Sequence, residues 1–153
     1  SDEIIQKIGV RGIHLGFYDP WDANVHTKLV MDKYNWKPSN VPFQRTYRKM
    51  SNLDDMYENG VHDYLKWIKF GYGRATDHAS KDIRNGYMSR EEGINMVKKY
   101  DHIYPSDTDH WLNYVNRDKK WFWEIANSFR SPFVWKLKNN IWYKRNIWDN
   151  NES

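Results

Sequence analysis

The sequence predicts a mainly α chain with a short N-terminal strand. Three observations carry that prediction. Apolar residues recur at three- and four-residue spacing between 53 and 68, helix-start signatures punctuate the chain, and a single run, 13–18, alternates weakly. The strand, Ile13-His-Leu-Gly-Phe-Tyr18, is followed by the turn Asp19-Pro-Trp-Asp22. Asp22 can cap a helix over 22–34, because its carboxylate can accept the free amides of the first turn. Residues 37–48 hold two prolines and no period, so they read as a loop.

The strongest helix is expected over 52–70. Ser51 and Asp54 make a capping-box pattern, and Leu53, Met56, Tyr57, Val61, Tyr64, Leu65 and Ile68 form one apolar stripe. Gly60 lies on that stripe, where a missing side chain lets a neighbour approach closely. Gly71-Tyr-Gly73 breaks the helix. Thr76 is expected to cap the next one and Gly86 to end it. Ser89 and Glu92 form a capping box for a helix to about Tyr100, with Ile94, Val97 and Tyr100 inward. Ser106 and Asp109 suggest a further helix with Trp111, Leu112 and Val115. Another places Trp121, Phe122, Ile125 and Phe129 on one face. Residues 132–153 read as an aromatic, basic tail with a frayed end. A lone strand is unstable in water, so 13–18 is expected to pair with another chain or an upstream sheet.

Composition bounds the class. The 153 residues suffice for one domain with a modest core. Mean hydropathy is −0.99, yet aromatics reach 17%, with nine Trp and eleven Tyr. The core is therefore expected to use few, large side chains, and disorder is excluded outside the tail. No run approaches the ~18 apolar residues of a membrane span. The chain has no Cys, so disulfides, thiolate metal sites and thiol nucleophiles are excluded. A cytoplasmic setting fits that usage. The start Ser1-Asp2-Glu3 reads as a fragment or a processed chain. The net charge of +4 is mild and compatible with an anionic small molecule, nucleic acid or no particular partner.

The chemistry concentrates in residues 69–84, Lys69-Phe-Gly-Tyr-Gly-Arg-Ala-Thr-Asp-His-Ala-Ser-Lys-Asp-Ile-Arg84. A glycine-rich break before a helix exposes free N–H groups and the positive end of the helix dipole. Arg74, Lys81 and Arg84, with Lys66 and Lys69 from the preceding helix, could converge there on a phosphate or carboxylate. His78 and Asp82 are four apart and can pair, which would orient the imidazole; Asp77 and Lys81 share that spacing. Gly71-x-Gly73 follows a helix rather than a strand and lacks a third glycine, so it is a weak dinucleotide fingerprint. On composition alone the blander reading, a helix–helix turn with a solvated charged face, comes first.

At these residues the sequence resembles the ATP-dependent N-acetyl sugar amidotransferases of bacterial surface-polysaccharide biosynthesis. The resemblance rests on Gly12-Ile-His-Leu-Gly-Phe-Tyr-Asp-Pro-Trp-Asp22, Phe43-Gln-Arg-Thr-Tyr-Arg48, residues 52–64, residues 69–86 and Ser89-Arg-Glu-Glu-Gly93. It implies a PP-loop, adenine nucleotide α-hydrolase-like α/β enzyme, of which this chain is the C-terminal helical portion. Residues 1–35 would end the nucleotide-binding domain, 36–131 would form a helical domain and 132–153 the tail. The implied reaction activates a sugar acetamido oxygen with ATP and replaces AMP with ammonia, leaving an acetamidino group. The sugars belong to lipopolysaccharide O-antigens or to the nonulosonic acids of flagellin. Implied partners are a nucleotide-activated N-acetyl sugar and ammonia-supplying glutaminase and cyclase-like subunits, and self-association through the Trp-rich tail is open. The family's Ser-Gly-Gly-x-Asp-Ser loop and cysteine cluster are absent here, and both are expected upstream. ATP with Mg would then be bound mainly by that upstream domain, and this chain alone would be inactive.

In that reading Lys69, Arg74 and Lys81 take the phosphates of ATP or of an anionic sugar nucleotide. Arg84 clamps a carboxylate or phosphate bidentately. His78 carries protons for ammonia with Asp82 as orienter, or else bonds locally. Trp21 stacks on a ring beside Asp22, or the pair forms a turn and cap. Arg45 and Arg48 contact phosphates or are solvated loop charges. The Trp residues at 111, 121, 123, 135, 142 and 148 read as core or interface. A helical interaction module is the alternative function. Nucleic-acid binding through the basic, aromatic stretch 135–145 is a weaker one. His102 and His110 with Asp107 and Asp109 match no metal-ligand spacing, so no metal is expected.

Overall fold

A computed structural model describes residues 2–50 and 59–146 of the chain. It divides into two compact units, residues 1–37 and 38–153. In the first, α1 (Asp2–Ile8) and α2 (Ala23–Tyr34) flank a single 3₁₀ turn, Leu15–Phe17. The expected strand 13–18 is therefore corrected to a turn. Phe17 N–H donates to His14 O at 3.0 Å and Tyr18 N–H to Leu15 O at 2.9 Å. No partner strand lies alongside among the described residues, so the backbone closes locally instead. Neither α1 nor α2 contains a buried residue.

In the second unit the helices are α3 (Asn59–Phe70), α4 (Arg74–Arg84), α5 (Arg90–Tyr100), α6 (Thr108–Tyr114) and α7 (Lys119–Ser128). The part of the expected 52–70 helix at 51–58, with its capping pattern, lies outside the described residues. The rest of its stripe is internal: Val61, Tyr64 and Ile68 are buried with Leu112, Phe122 and Ala126, and Leu65 packs against them. These come from α3, α6 and α7, whose apolar faces meet as amphipathic helices do. Large rings fill the space around them. Tyr64, Tyr104 and Trp123 have centroids 5.4–6.1 Å apart. A Cβ on Gly60 would overlap the Asp107 carboxylate and lie 2.7 Å from Pro105 Cβ. That residue is bare because the segment entering α6 crosses it.

Two helix starts differ from expectation. α4 begins after Gly73, not at Thr76, and α6 has Asp107 as its first flanking residue. Ser106 instead bonds through N and Oγ to Gln44 Oε1, at 2.8 and 3.2 Å. The α5 start is the expected capping box of Ser89 and Glu92. On α7, Ile125 is exposed and Ala126 takes the buried place.

The expected tail contains a hairpin, β1 (Trp135–Lys138) and β2 (Ile141–Lys144), paired antiparallel with Trp135 opposite Lys144. Asn139 and Asn140 have φ of 50° and 60°, which is the backbone of a tight two-residue hairpin turn. The Trp135 indole N–H donates to Ile68 O at 2.6 Å, and the Arg130 guanidinium stacks 4.1 Å from the Trp135 ring centre. Trp135 is buried, while Trp111, Trp121 and Trp123 lean on the core. Trp148 and the frayed end lie outside the described residues.

Phe122 is 2% exposed and Phe133 is 90% exposed. Phe122→Ala is expected to lower stability by about 3–5 kcal/mol in urea unfolding. Phe133→Ala is expected to change it by less than about 0.5 kcal/mol. Equal effects would contradict this core.

Candidate functional site

The central run folds around a short loop, residues 43–48, that threads between α3, α4 and α5. Arg45 in this loop is 0% exposed and sits at φ 73°. Its Nη2 donates to Asp101 O at 2.6 Å and Asp63 O at 3.2 Å, and its Nη1 donates to Ile103 O. The guanidinium also lies 5.0 Å from the Tyr64 ring centre. Burial pulls its pKa below the usual arginine value, with Asp101 and Asp63 opposing. Arg48, three residues on, pairs with the buried Asp82, to which the Tyr47 hydroxyl also donates. Burial and that carboxylate push the Tyr47 hydroxyl well above the ordinary phenol range. Arg45 and Arg48 are thus neither phosphate ligands on an open loop nor solvated charges. Both are internal.

Asp101, at the end of α5, closes the start of α4. Its Oδ2 accepts from Gly73 N–H at 2.8 Å and Thr76 Oγ1–H at 2.5 Å. Its Oδ1 accepts from Ala75 N–H at 3.0 Å and Thr76 N–H at 3.3 Å. The exposed amides that the sequence offers to a ligand are therefore taken by a carboxylate of the chain itself. A Cβ on Gly73 would stand 2.8 Å from Asp101 Oδ1 and 3.0 Å from Arg45 Nη2. This explains a glycine where α4 begins.

The candidate residues separate into two groups. Arg74 forms a bidentate pair with the buried Asp63, Nε to Oδ2 at 2.9 Å and Nη2 to Oδ1 at 2.8 Å. His78 Nδ1 shares a 2.6 Å hydrogen bond with Thr46 Oγ1. Asp82 is bound to Arg48 and Tyr47, so the expected His78–Asp82 pair is replaced. The loop presents stronger donors to the carboxylate than a neutral imidazole can. Asp77 pairs with Lys66 rather than Lys81. The second group is exposed: Lys69, Lys81 and Arg84 have no ion-pair partner among the described residues. Lys69 Nζ lies over the Phe70 and Phe129 rings, at 5.1 and 5.6 Å. Lys81 and Arg84 are three apart on α4 and share one side of it.

In the first unit, Asp22 caps α2, accepting from Asn24 N–H at 2.8 Å and Val25 N–H at 3.4 Å. Trp21 is exposed with its ring 4.5 Å from His26. Sequence reasoning missed Thr46, Tyr47, Asp63 and Asp101. Only Asp63 carried a local hint, a carboxylate inside the apolar stripe of α3. The described residues hold no group of three or more His, Asp or Glu placed to bind a metal. No helix among them is long and apolar enough to cross a membrane.

A helical domain with a closed Arg–Asp interior and an exposed cationic helix side is the class that this fold and site define. Residues 29–148 match the family described as "LPS biosynthesis protein WbpG-like, C-terminal domain", and the chain belongs to that family. No curated protein matches the chain.

Burial, then the charges of Arg48, Arg74 and Lys81, hold the His78 imidazole down at about 4, against the pull of Asp77. The unfolded imidazole titrates near 6.5. Between these values the unfolded chain binds the proton and the folded chain does not. The contribution to stability is therefore full above about pH 6.5 and falls as pH drops towards 4, by on the order of 3 kcal/mol. Urea midpoints of wild type and His78→Gln from pH 7 to 4 check this. The wild type should lose more stability than the variant across that window, and parallel losses would contradict it.

Proposed function

We propose that this chain is the C-terminal part of an ATP-dependent amidotransferase that converts a sugar N-acetyl group to an acetamidino group in lipopolysaccharide O-antigen or flagellin-sugar biosynthesis. One observation carries the reading: the family match over 29–148 spans α3 to β2, the same residues that hold the exposed cations of α4. The resemblance of 43–48 and 69–93 to the N-acetyl sugar amidotransferases supplies the reaction.

In that reaction the acetamido oxygen attacks the α-phosphorus of ATP and pyrophosphate leaves. The lone pair of ammonia then adds to the activated carbon. AMP departs with the C–O bond pair, and loss of a proton yields the amidine. ATP and its Mg belong mainly to a PP-loop domain outside this sequence, and glutaminase and cyclase-like partners supply ammonia. Lys69, Lys81 and Arg84 are the cations left to meet the phosphates of ATP or of the sugar nucleotide. There they would stabilise charge developing as pyrophosphate leaves. Arg74 is committed to Asp63 and acts by holding α4 to α3. His78, a weak base while buried, and Asp82 act as positioning residues that hold the 43–48 loop.

The test uses the full-length enzyme with ammonium, ATP and a UDP-N-acetyl sugar acid, following pyrophosphate release. Lys81→Ala with Arg84→Ala is expected to lower kcat/KM by about 100-fold, as loss of charge stabilisation does. Thermal unfolding should not move, because both side chains are exposed. Unchanged turnover in the double variant would remove α4 from the active site. No pyrophosphate release from the unaltered enzyme would remove the amidotransfer reading itself.

A further inference from the structure

The amidotransfer reading makes no use of the hairpin, whose two faces differ. The register pairs Lys136 with Tyr143 and Lys138 with Ile141. Side chains alternate along a strand, so these four share one face, and Trp135, Leu137, Trp142 and Lys144 share the other. The second face is the inner one. Trp135 is buried with its indole N–H on Ile68 O, and the Arg130 guanidinium lies over the Trp135 and Trp142 rings, at 4.1 and 5.4 Å. A Cβ on Gly71 would stand 2.4 Å from Val134 Cγ1, so the base of the hairpin is seated against the end of α3. The outer face is thereby fixed in direction, and all four of its side chains are exposed. At the tip the inner face emerges as well: Leu137, like Ile141 and Tyr143, is more than half exposed. Each cross-strand pair of the outer face sets a cation beside an apolar group. Lys136 and Lys138 occupy alternate strand positions about 7 Å apart, within a Debye length, so a charged surface meets them together. Neither lysine, nor Arg145 just beyond β2, has an ion-pair partner among the described residues. Residues 125–148 contain no Asp or Glu. An ordinary solvated face intersperses both signs of charge, and this one does not.

We propose that the outer face and tip of the hairpin dock the protein on an anionic lipid surface. The lysine stems lie along the apolar groups while their ammonium groups reach lipid phosphates. Leu137 and Ile141 enter the boundary of the acyl chains, and Tyr143 stays at the headgroup level. This is attachment from one side and needs no spanning helix. Nucleic acid would meet the same cations, but bases bind by stacking on rings. Leu137 and Ile141 are aliphatic and have no ring face, so they gain only by leaving water. The surface is independent of the amidotransfer reading and shares none of Lys69, Lys81 and Arg84 with it.

The experiment is flotation of the chain with vesicles of phosphatidylcholine alone or mixed with phosphatidylglycerol, beside titration of a fluorescent single-stranded oligonucleotide. Binding to the mixed vesicles and not to the neutral ones is expected, weakening as NaCl rises. Lys136→Gln with Lys138→Gln should lower the vesicle partition coefficient about 25-fold, roughly fivefold per lysine. Ile141→Ser with Tyr143→Ser should lower it about tenfold while keeping the salt dependence. Lys33→Gln with Lys37→Gln removes the same charge from exposed positions of the first unit and should change it by less than about twofold. Unchanged thermal unfolding checks that each variant is folded, and Ile141→Ser alone replaces the apolar pair should that pair disturb the hairpin. No binding to the mixed vesicles would overturn the proposal, and oligonucleotide binding in its place would assign the hairpin to nucleic acid. Equal binding to neutral vesicles would also overturn it. So would lipid binding that survives both hairpin variants, or an equal loss in the Lys33 and Lys37 variant.

Discussion

The carboxylate of Asp101 is the interaction on which the second unit depends. It is 3% exposed, and it accepts four hydrogen bonds from the start of α4, whose flanking Gly73 lies 28 residues earlier. A buried carboxylate without such partners costs several kcal/mol. Here the donors are the groups that a helix start leaves unsatisfied, so two penalties cancel each other. The backbone carbonyl of the same residue receives Arg45, whose other donors reach Asp63 and Ile103. One residue thus joins the start of α4, the end of α5 and the loop at 43–48.

The other charges follow from that junction. With Arg45 seated, the loop presents Thr46, Tyr47 and Arg48 to the inner side of α4, where they bind His78 and Asp82. Arg74 is turned to Asp63 on α3. The side of α4 that packs therefore joins the small apolar Ala75 and Ala79 to the hydrogen-bonded His78 and Asp82, while Lys81 and Arg84 stay exposed. A charged helix becomes both scaffold and surface, with the division set by which residues face the loop. Any ligand chemistry at α4 falls to side chains and not to the helix start, because the positive end of the helix is already occupied.

The sequence made local features readable. Asp22 over α2, the Ser89–Glu92 box, and the spacing of Val61, Tyr64 and Ile68 each declare themselves within a few residues. Long-range partners do not. Nothing near Gly73 announces that its cap is Asp101, so Thr76 stood as the nearest hydroxyl, and it bonds instead to the same carboxylate. His78 and Asp82 had ideal spacing for a pair, yet a loop more than thirty residues upstream outcompetes it. The alternation of 13–18 could not become a strand without a partner. The hairpin had a signal that went unread: Asn139-Asn140, two residues tolerant of positive φ, between short aromatic and basic runs.

The most direct test of the account is amide hydrogen exchange at Ala75 and Thr76. Amides in the first turn of a helix have no partner within the helix and ordinarily exchange early. If Asp101 holds the fold as described, these two should exchange as slowly as the amide of Ile68 in the core, through global unfolding alone. Fast exchange at Ala75 and Thr76, with Ile68 still protected, would show the Asp101 junction opening on its own and would contradict its central place.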